Sequence, residues 1–265
     1  MRKLTLLVIS TVGAAFLSAA SKYDLTEAQV DDIVQKFAAK ESQFAKAREA
    51  YTYRQTARIQ SLSEGGQVTG KWETVSDIVF STDGKRSEHV VRAPVSTLEA
   101  FQLTPEDMED MRSVQPFVLT TPELPKYLIR YLGHQNVDEI GCYVFAVKPK
   151  KLEGNLRYFS GEVWVDDKDL QIVKSYGRGV GIASRKGDNQ FPKFETYREQ
   201  VDGKYWFPTY TTANDTLHFQ SGDQRIRQTI RYEDYKQFRA DTKITFGDEV
   251  KDTPQTAPPP PPRKP

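Results

Sequence analysis

The chain has a single cysteine, Cys142, in 265 residues, so it can form no internal disulfide and must be held together by its core. Histidine is almost as scarce. His89, His134 and His218 are the three, and no two of them sit at metal-ligand spacing or near Cys142 in sequence. Neither charge is in excess: 37 Lys and Arg against 36 Asp and Glu leave +1. That argues against nucleic acid, whose phosphates call for a basic surplus. No G-x-S-x-G elbow, H-E-x-x-H pair or P-loop is present, and no long repeat. Gly177-Arg178-Gly179-Val180-Gly181 copies part of a dinucleotide fingerprint, but Ala183-Ser184-Arg185-Lys186-Gly187 does not continue as a helix. A glycine-rich strand end or bulge is expected there instead.

Long apolar runs are missing too, after the first. Arg2 and Lys3 precede an apolar stretch from Leu4 to Leu17, then Ser18-Ala19-Ala20, a small-residue cleavage site. The stretch is short for a membrane anchor, which needs about 20 residues, so residues 1–20 read as a cleaved signal peptide. No cysteine follows for lipid attachment. The expected product is a soluble protein outside the cytoplasm, and Cys142, in an apolar strand, reads as buried rather than reactive.

What the chain does have is a run of antiparallel strand signals. Val163-Trp164-Val165 and Leu170-Gln171-Ile172-Val173 flank Asp166-Asp167-Lys168-Asp169, an apolar–turn–apolar pattern. Thr196 to Val201, Asp202-Gly203 and Lys204-Tyr205-Trp206-Phe207 give a second hairpin, since both positions of a tight turn need φ > 0. Cys142-Tyr143-Val144-Phe145-Ala146-Val147 is apolar on both faces, so each face must meet packing or one must meet a ligand.

Residues 24 to 50 read as one amphipathic helix, started by a Thr26–Gln29 capping box with Leu25, Val30, Ile33, Val34, Phe37 and Phe44 on its apolar face. At Tyr51 the period drops to two, with Tyr51, Tyr53, Gln55, Ala57 and Ile59 on one face until Gly65-Gly66 turns the chain. Val68 to Phe80 and Arg86 to Arg92 read as strands joined through Asp83-Gly84. Thr104-Pro105-Glu106-Asp107 has the cap, proline and acids of a helix start, and Pro116 ends it. Pro122 to Leu132, with Tyr127, Leu128, Tyr131 and Leu132 apolar and Gly133 as a stop, reads as a second short helix. Such an insertion covers an open sheet face or carries function. Arg225, Arg227, Thr229 and Arg231 alternate with Ile226, Gln228, Ile230 and Tyr232, a basic outer face that reads as solvated rather than as an anion site. From Asp248 to Pro265 the chain is too polar and proline-rich to fold, and is expected to be extended and mobile.

The catalytic inventory is thin. Asp166, Asp167 and Asp169 form too short a loop for an EF-hand and read as a polar hairpin tip. Glu106, Asp107, Glu109 and Asp110 are acids that a first helical turn favours anyway. What remains is 14 Phe, 13 Tyr and 3 Trp, mostly in strand patterns. Most of them fill a core. The alternative for the rest is a concave sheet face left partly open, with Tyr53, Tyr143, Phe145, Val163 and Trp206 as the expected ligand contacts. An acyl chain of ~16 carbons could then gain on the order of 10 kcal/mol at about 0.8 kcal/mol per CH₂, before ordering costs.

The layout resembles the outer-membrane lipoprotein-sorting carriers (LolA/LolB-like). The local likenesses are Pro116-Phe117-Val118-Leu119 through Tyr131-Leu132-Gly133, and Tyr143-Val144-Phe145-Ala146-Val147-Lys148-Pro149. Gly161-Glu162-Val163-Trp164-Val165-Asp166 with Gln171-Ile172-Val173, and Val201-Asp202-Gly203-Lys204-Tyr205-Trp206-Phe207-Pro208, complete them. The resemblance implies a mainly β (α+β) fold, a curved antiparallel sheet forming an incomplete barrel packed on an N-terminal helix and covered by short inserted helices. It also implies a hydrophobic cavity for lipid or lipoprotein acyl chains, a periplasmic address, transport to the outer membrane and no catalysis. Members of the same fold include envelope-stress sensors that regulate a membrane partner, so a regulatory module with an envelope protein partner is the second reading and a hydrolase around His89, His134 or Cys142 the third. The expected division is residues 1–20 as signal, 21–247 as one monomeric domain and 248–265 as tail, with no cofactor, metal or nucleic acid.

Overall fold

The computed structural model describes residues 24–81, 84–181 and 191–238. The signal stretch, Asp83, residues 182–190 and the proline-rich tail lie outside the described residues. Among those described, no helix is long and apolar enough to cross a membrane.

Helix α1 (Glu27–Arg48) begins at the Thr26 cap, where the Gln29 N–H donates to Thr26 Oγ1 and the Thr26 N–H donates back to Gln29 Oε1. It buries Val34, Phe37, Ala38, Glu41 and Phe44, one helical stripe with a carboxylate in its middle. The strands follow as β1 (Tyr51–Leu62), β2 (Val68–Phe80), β3 (Arg86–Ser96), β4 (Tyr127–Val137), β5 (Ile140–Pro149), β6 (Tyr158–Asp166), β7 (Ile172–Val180), β8 (Phe194–Val201), β9 (Tyr205–Phe219) and β10 (Gly222–Gln237). They form one curved, unclosed antiparallel sheet in the order β3-β2-β1-β10-β9-β8-β7-β6-β5-β4. Every neighbouring pair is a sequential hairpin except β1 with β10. The β8–β9 turn is the expected Asp202-Gly203 pair, both at positive φ (55° and 64°).

Because β3 and β4 are the two edges, the chain between them must run from one side of the sheet to the other. It does so across the concave face. A short helix α2 (Pro105–Glu109) starts at the Thr104 cap and continues as a π turn over Asp110–Val114 before Pro116.

One expectation fails here. Pro122 to Leu132 is not a helix: a single 3₁₀ turn, Leu124–Lys126, leads into strand β4, and Gly133 sits within that strand at a bulge with φ +124°. The spacing of Tyr127, Leu128, Tyr131 and Leu132 fits a helix, but Tyr127, Ile129 and Tyr131 lie opposite Pro149, Val147 and Phe145 of β5 and pack into the main core. Leu128 and Leu132 are left exposed. Tertiary pairing overrode local periodicity. The insertion therefore carries one short helix rather than two.

Gly177 and Gly179 stand at the end of β7 and Gly181 just past it, the expected glycine-rich strand end and no fingerprint; with Gly161 of β6 they admit close packing. Gly161 and Gly177 are register partners, and the Phe159 ring lies over both. A Cβ on Gly161 would stand 2.5 Å from Gly177 Cα, and nearer still to the Tyr176 carbonyl oxygen. Gly161→Ala should therefore destabilise the fold by about 1–3 kcal/mol through overpacking. Thermal unfolding followed by circular dichroism reads this as a melting temperature lowered by several degrees, and an unchanged melting temperature would refute the account.

Candidate functional site

Residues 97–126 form a roof over the concave face. Leu98, Phe101, Leu103, Met108 and Met111 pack on Ala57, Ile59, Trp72, Ile230 and Tyr232 of β1, β2 and β10. Farther on, Val114, Phe117 and Leu119 join Phe37 of α1 and Phe145, Phe159 and Phe194 of the sheet. Phe117 stacks on Phe159 with ring centroids 4.3 Å apart.

Polar contacts fix the roof at a few points. Arg157 Nε donates to Asp110 Oδ1 at 2.8 Å, a second guanidinium nitrogen reaches the other carboxylate oxygen, and the third donates to the Gly181 carbonyl. This pair lies directly on Gly179 of β7, where a Cβ would collide with both side chains. Burial raises the Asp110 pKa, and Arg157 opposes that shift. Gln115 and Gln228 exchange side-chain hydrogen bonds at 3.2 and 3.0 Å. The Gln115 carbonyl accepts from Thr196 Oγ1 at 2.8 Å.

A buried ion pair ties helix, sheet and roof together. Arg198 of β8 donates to both Glu41 oxygens, at 3.1 and 3.2 Å, the Ile172 N–H donates to Glu41 at 3.1 Å, and Arg198 also donates to the Phe117 carbonyl. Glu41 is fully buried and Arg198 nearly so. Desolvation raises the Glu41 pKa, while Arg198 and the Ile172 N–H pull it back.

The concave wall is uneven. Over β4 to β9 it is aromatic and filled by α1 and the roof. Over β1 to β3 and β10 it carries Gln55, Thr74, Ser76, Arg86, Glu88 and Gln228. Two cavities flank the roof. A cavity of about 40 Å³ lies among Ile59, Phe101, Leu103, Met111, Leu217 and Phe219. A larger one of about 630 Å³ lies between the end of α1, strands β1 to β3 and the roof, bordered by Arg48, Tyr53, Phe80, Arg86, Arg112 and Val118. Its volume falls in the range of small-ligand sites, roughly 300–1,000 Å³.

The five expected contact residues do not converge. Tyr53 borders the large cavity and packs against Tyr235 and Tyr232 at 5.1 and 6.1 Å. Phe145 and Val163 are register partners, fully buried, with the Phe37 ring 5.5 Å from Phe145. Tyr143 lies at the edge of the same core, 6.3 Å from Tyr131. Trp206 stands apart beside the β6–β7 turn, its indole N–H 3.5 Å from Asp169. Sequence reasoning missed Glu41, Arg48, Arg157 and Arg198. For Glu41 a signal existed, since a carboxylate within an apolar helical stripe must find a buried cation.

The remaining chemistry is structural. Asp166 accepts from the Lys168 and Asp169 N–H groups at 2.7 and 3.2 Å, tying up the hairpin tip. Among the described residues no cluster of three or more His, Cys, Asp or Glu could hold a metal ion. His134 pairs with Asp167 at 3.0 Å and His218 with Asp223 at 2.7 Å. Gln135, not His134, is the register partner of Cys142, so strand alternation sets His134 and Cys142 on opposite faces. The arginines of β10 are exposed, with Arg225 on the Glu64 carbonyl and Arg227 on Asn214.

Fold and site together define an open antiparallel sheet roofed by a connecting segment, with a ligand-sized cavity beneath. No family model and no curated protein matches the chain. Solved structures similar to it include a DUF1329 family protein from Desulfovibrio piger (16% identity, 80% of this chain and 93% of that one covered, TM-score 0.42). Another is a LolA superfamily protein from Nitrosomonas europaea (11%, 77% and 94%, TM-score 0.35). A third is the Pseudomonas aeruginosa MucA/MucB complex (12%, 77% and 99%, TM-score 0.22). Likenesses of this size carry nothing about what the chain binds.

Two outcomes test the site. Arg198→Ala strands Glu41 in the interior and should cost about 3–5 kcal/mol in urea denaturation at neutral pH. The Glu41 carboxyl, whose folded pKa is raised, would then be protonated more readily in the folded state than in the unfolded chain. The deficit should therefore shrink below pH 4.5, the ordinary glutamate value, and grow as pH rises through the raised one. A deficit independent of pH would count against the pair. Separately, burial pushes the Cys142 thiol up to about 12. Iodoacetamide at pH 8 should alkylate it only after unfolding, and rapid labelling of the native protein would show a reactive thiol instead.

Proposed function

We propose that the protein is an exported binding or carrier protein of the cell envelope that holds lipid or lipoprotein acyl chains on the concave face, without covalent chemistry. In this reading residues 1–20 are a cleaved signal, 21–247 the binding domain and 248–265 a tail outside it. The observation that carries it is the roof. One connecting segment, rather than a strand, closes the concave face, with cavities of about 40 and 630 Å³ against it. Its apolar side chains Phe101, Leu103, Met108 and Met111 occupy the surface that an acyl chain would cover, so binding displaces them and ligand contacts replace their contacts. Each methylene transferred from water contributes about 0.8 kcal/mol toward that exchange.

A second reading, a regulatory module that engages an envelope protein, is favoured by edge strand β3. It is paired on one side alone and presents Val90, Val91 and Val95 to solvent, which suits addition of a partner strand.

Denaturing mass spectrometry of lipids extracted from the native protein should find acyl species, and the stripped protein should take up a fluorescent fatty-acid probe. Asp110→Asn, which loosens the roof's hold on Arg157, should speed that uptake roughly several-fold in stopped-flow fluorescence, through loss of a charge-assisted pair. An empty protein that takes up no probe would overturn the carrier reading. Affinity capture that depends on the β3 edge or on residues 249–265 would then favour the second.

A further inference from the structure

The large cavity is lined by charges that the acyl-chain reading does not use, Arg48, Arg86 and Arg112 with Glu88, Glu109 and Glu123. Its acids are matched. Glu88 accepts from Ser76 at 2.8 Å and Arg86 at 3.3 Å and lies 3.5 Å from Arg112, and these partners hold its pKa below the usual range against the effect of burial. Glu109 accepts from the Ser113 hydroxyl at 2.7 Å, and Glu123 lies 3.9 Å from Lys126.

Two of its three bases, Arg86 and Arg112, meet Glu88, and Arg48 does not. Arg86 uses its terminal nitrogens on Glu88 and Gln55, and its Nε, without a hydrogen bond, is closed off from the cavity. Arg48, in the last turn of α1, has no hydrogen bond or ion pair to any described residue; the rings of Phe44 and Phe80, each 5.9 Å from its guanidinium carbon, are its neighbours. The surface it keeps lines the cavity, and the protein around it desolvates the charge enough to lower its pKa. A half-buried guanidinium with no acceptor among the described residues turns its donors to the cavity, and the group that complements them is a negatively charged oxygen. Water accepts hydrogen bonds but leaves the charge uncompensated, whereas an anion supplies both terms. Tyr53, Phe80, Pro116 and Val118 offer apolar wall beside it for the rest of a ligand.

We propose that this cavity is an anion site, in which Arg48 donates to a phosphate or carboxylate group, borne either by the head of a lipid or by a small free anion. It does not require the acyl-chain reading to hold.

Titration calorimetry of the purified full chain with three probes tests it: inorganic phosphate, dihexanoyl phosphatidic acid and the neutral amphiphile octyl glucoside. At least one anionic probe should bind, and Arg48→Gln should weaken it about tenfold or more, the scale of a lost charge-assisted hydrogen bond. Octyl glucoside binding should not change. Arg48→Lys should retain part of the affinity. This variant keeps the test open should Arg48→Gln not fold. Arginine-dependent binding of phosphate alone identifies a free anion as the source, and binding of phosphatidic acid alone identifies a lipid head. The proposal is overturned if no anionic probe binds below millimolar concentration. It is equally overturned if the variants bind as the parent does, which would mark an adventitious ion only. Loss of octyl glucoside and fatty-acid binding with phosphate binding retained would remove the acyl-chain reading and leave this one standing.

Discussion

The contact on which the architecture turns is the buried pair between Glu41 and Arg198, 157 residues apart. Removing two charges from water is expensive, and the cost is offset only where every lone pair and proton finds a partner. Here the Ile172 N–H completes Glu41, and the Phe117 carbonyl completes Arg198. Those partners belong to helix α1, strands β7 and β8 and the roof. An apolar contact tolerates sliding, whereas this one is satisfied in a single arrangement, so it fixes how deep the helix sits and where the roof passes. The aromatic layer of Phe37, Phe117, Phe145 and Phe159 packs around that frame.

The second constraint is topological. A ten-stranded sheet that does not close has two edges, and the chain here occupies one edge before crossing to the other. That crossing has to lie over a face, and it lies over the concave one because Leu98 to Leu119 carry the apolar side chains that the face requires. A segment placed in this way serves as both core and cover. Its anchors are polar and local: Asp110 on Arg157, and Gln115 on Gln228 and Thr196. Its cavities lie at the polar half of the wall and at the roof's apolar flank, not in the aromatic half that α1 already fills.

Much of this was legible beforehand where the code is local. The Thr26 and Thr104 caps, the Asp202-Gly203 turn and the period-two burial of β1 and β10 follow from capping, φ preference and alternation. Strand β4 was not legible, because Tyr127, Leu128, Tyr131 and Leu132 satisfy a helical spacing as well as an edge strand, and only the register against β5 decides. Nor was the packing role of the glycines of β6 and β7. Their meaning is the room they leave for Phe159 and for the Asp110–Arg157 pair, which come from other parts of the chain. The expected contacts lie in different surroundings for the same reason: an apolar strand residue looks alike from sequence whether a cavity or a phenylalanine from α1 faces it, and Tyr53 borders the first while Phe145 meets the second.

By itself, then, the sequence determined most of the elements, with β4 the exception, many of their ends and the mainly antiparallel class, since each depends on residues within a few positions of one another. Only the tertiary structure decided which charges are buried together, which inner surface is filled, and that Arg48 borders a cavity without a hydrogen-bond partner among the described residues. Those outcomes depend on distances between side chains far apart in the chain. No local pattern encodes such distances, because they exist only once helix, sheet and roof have packed against one another.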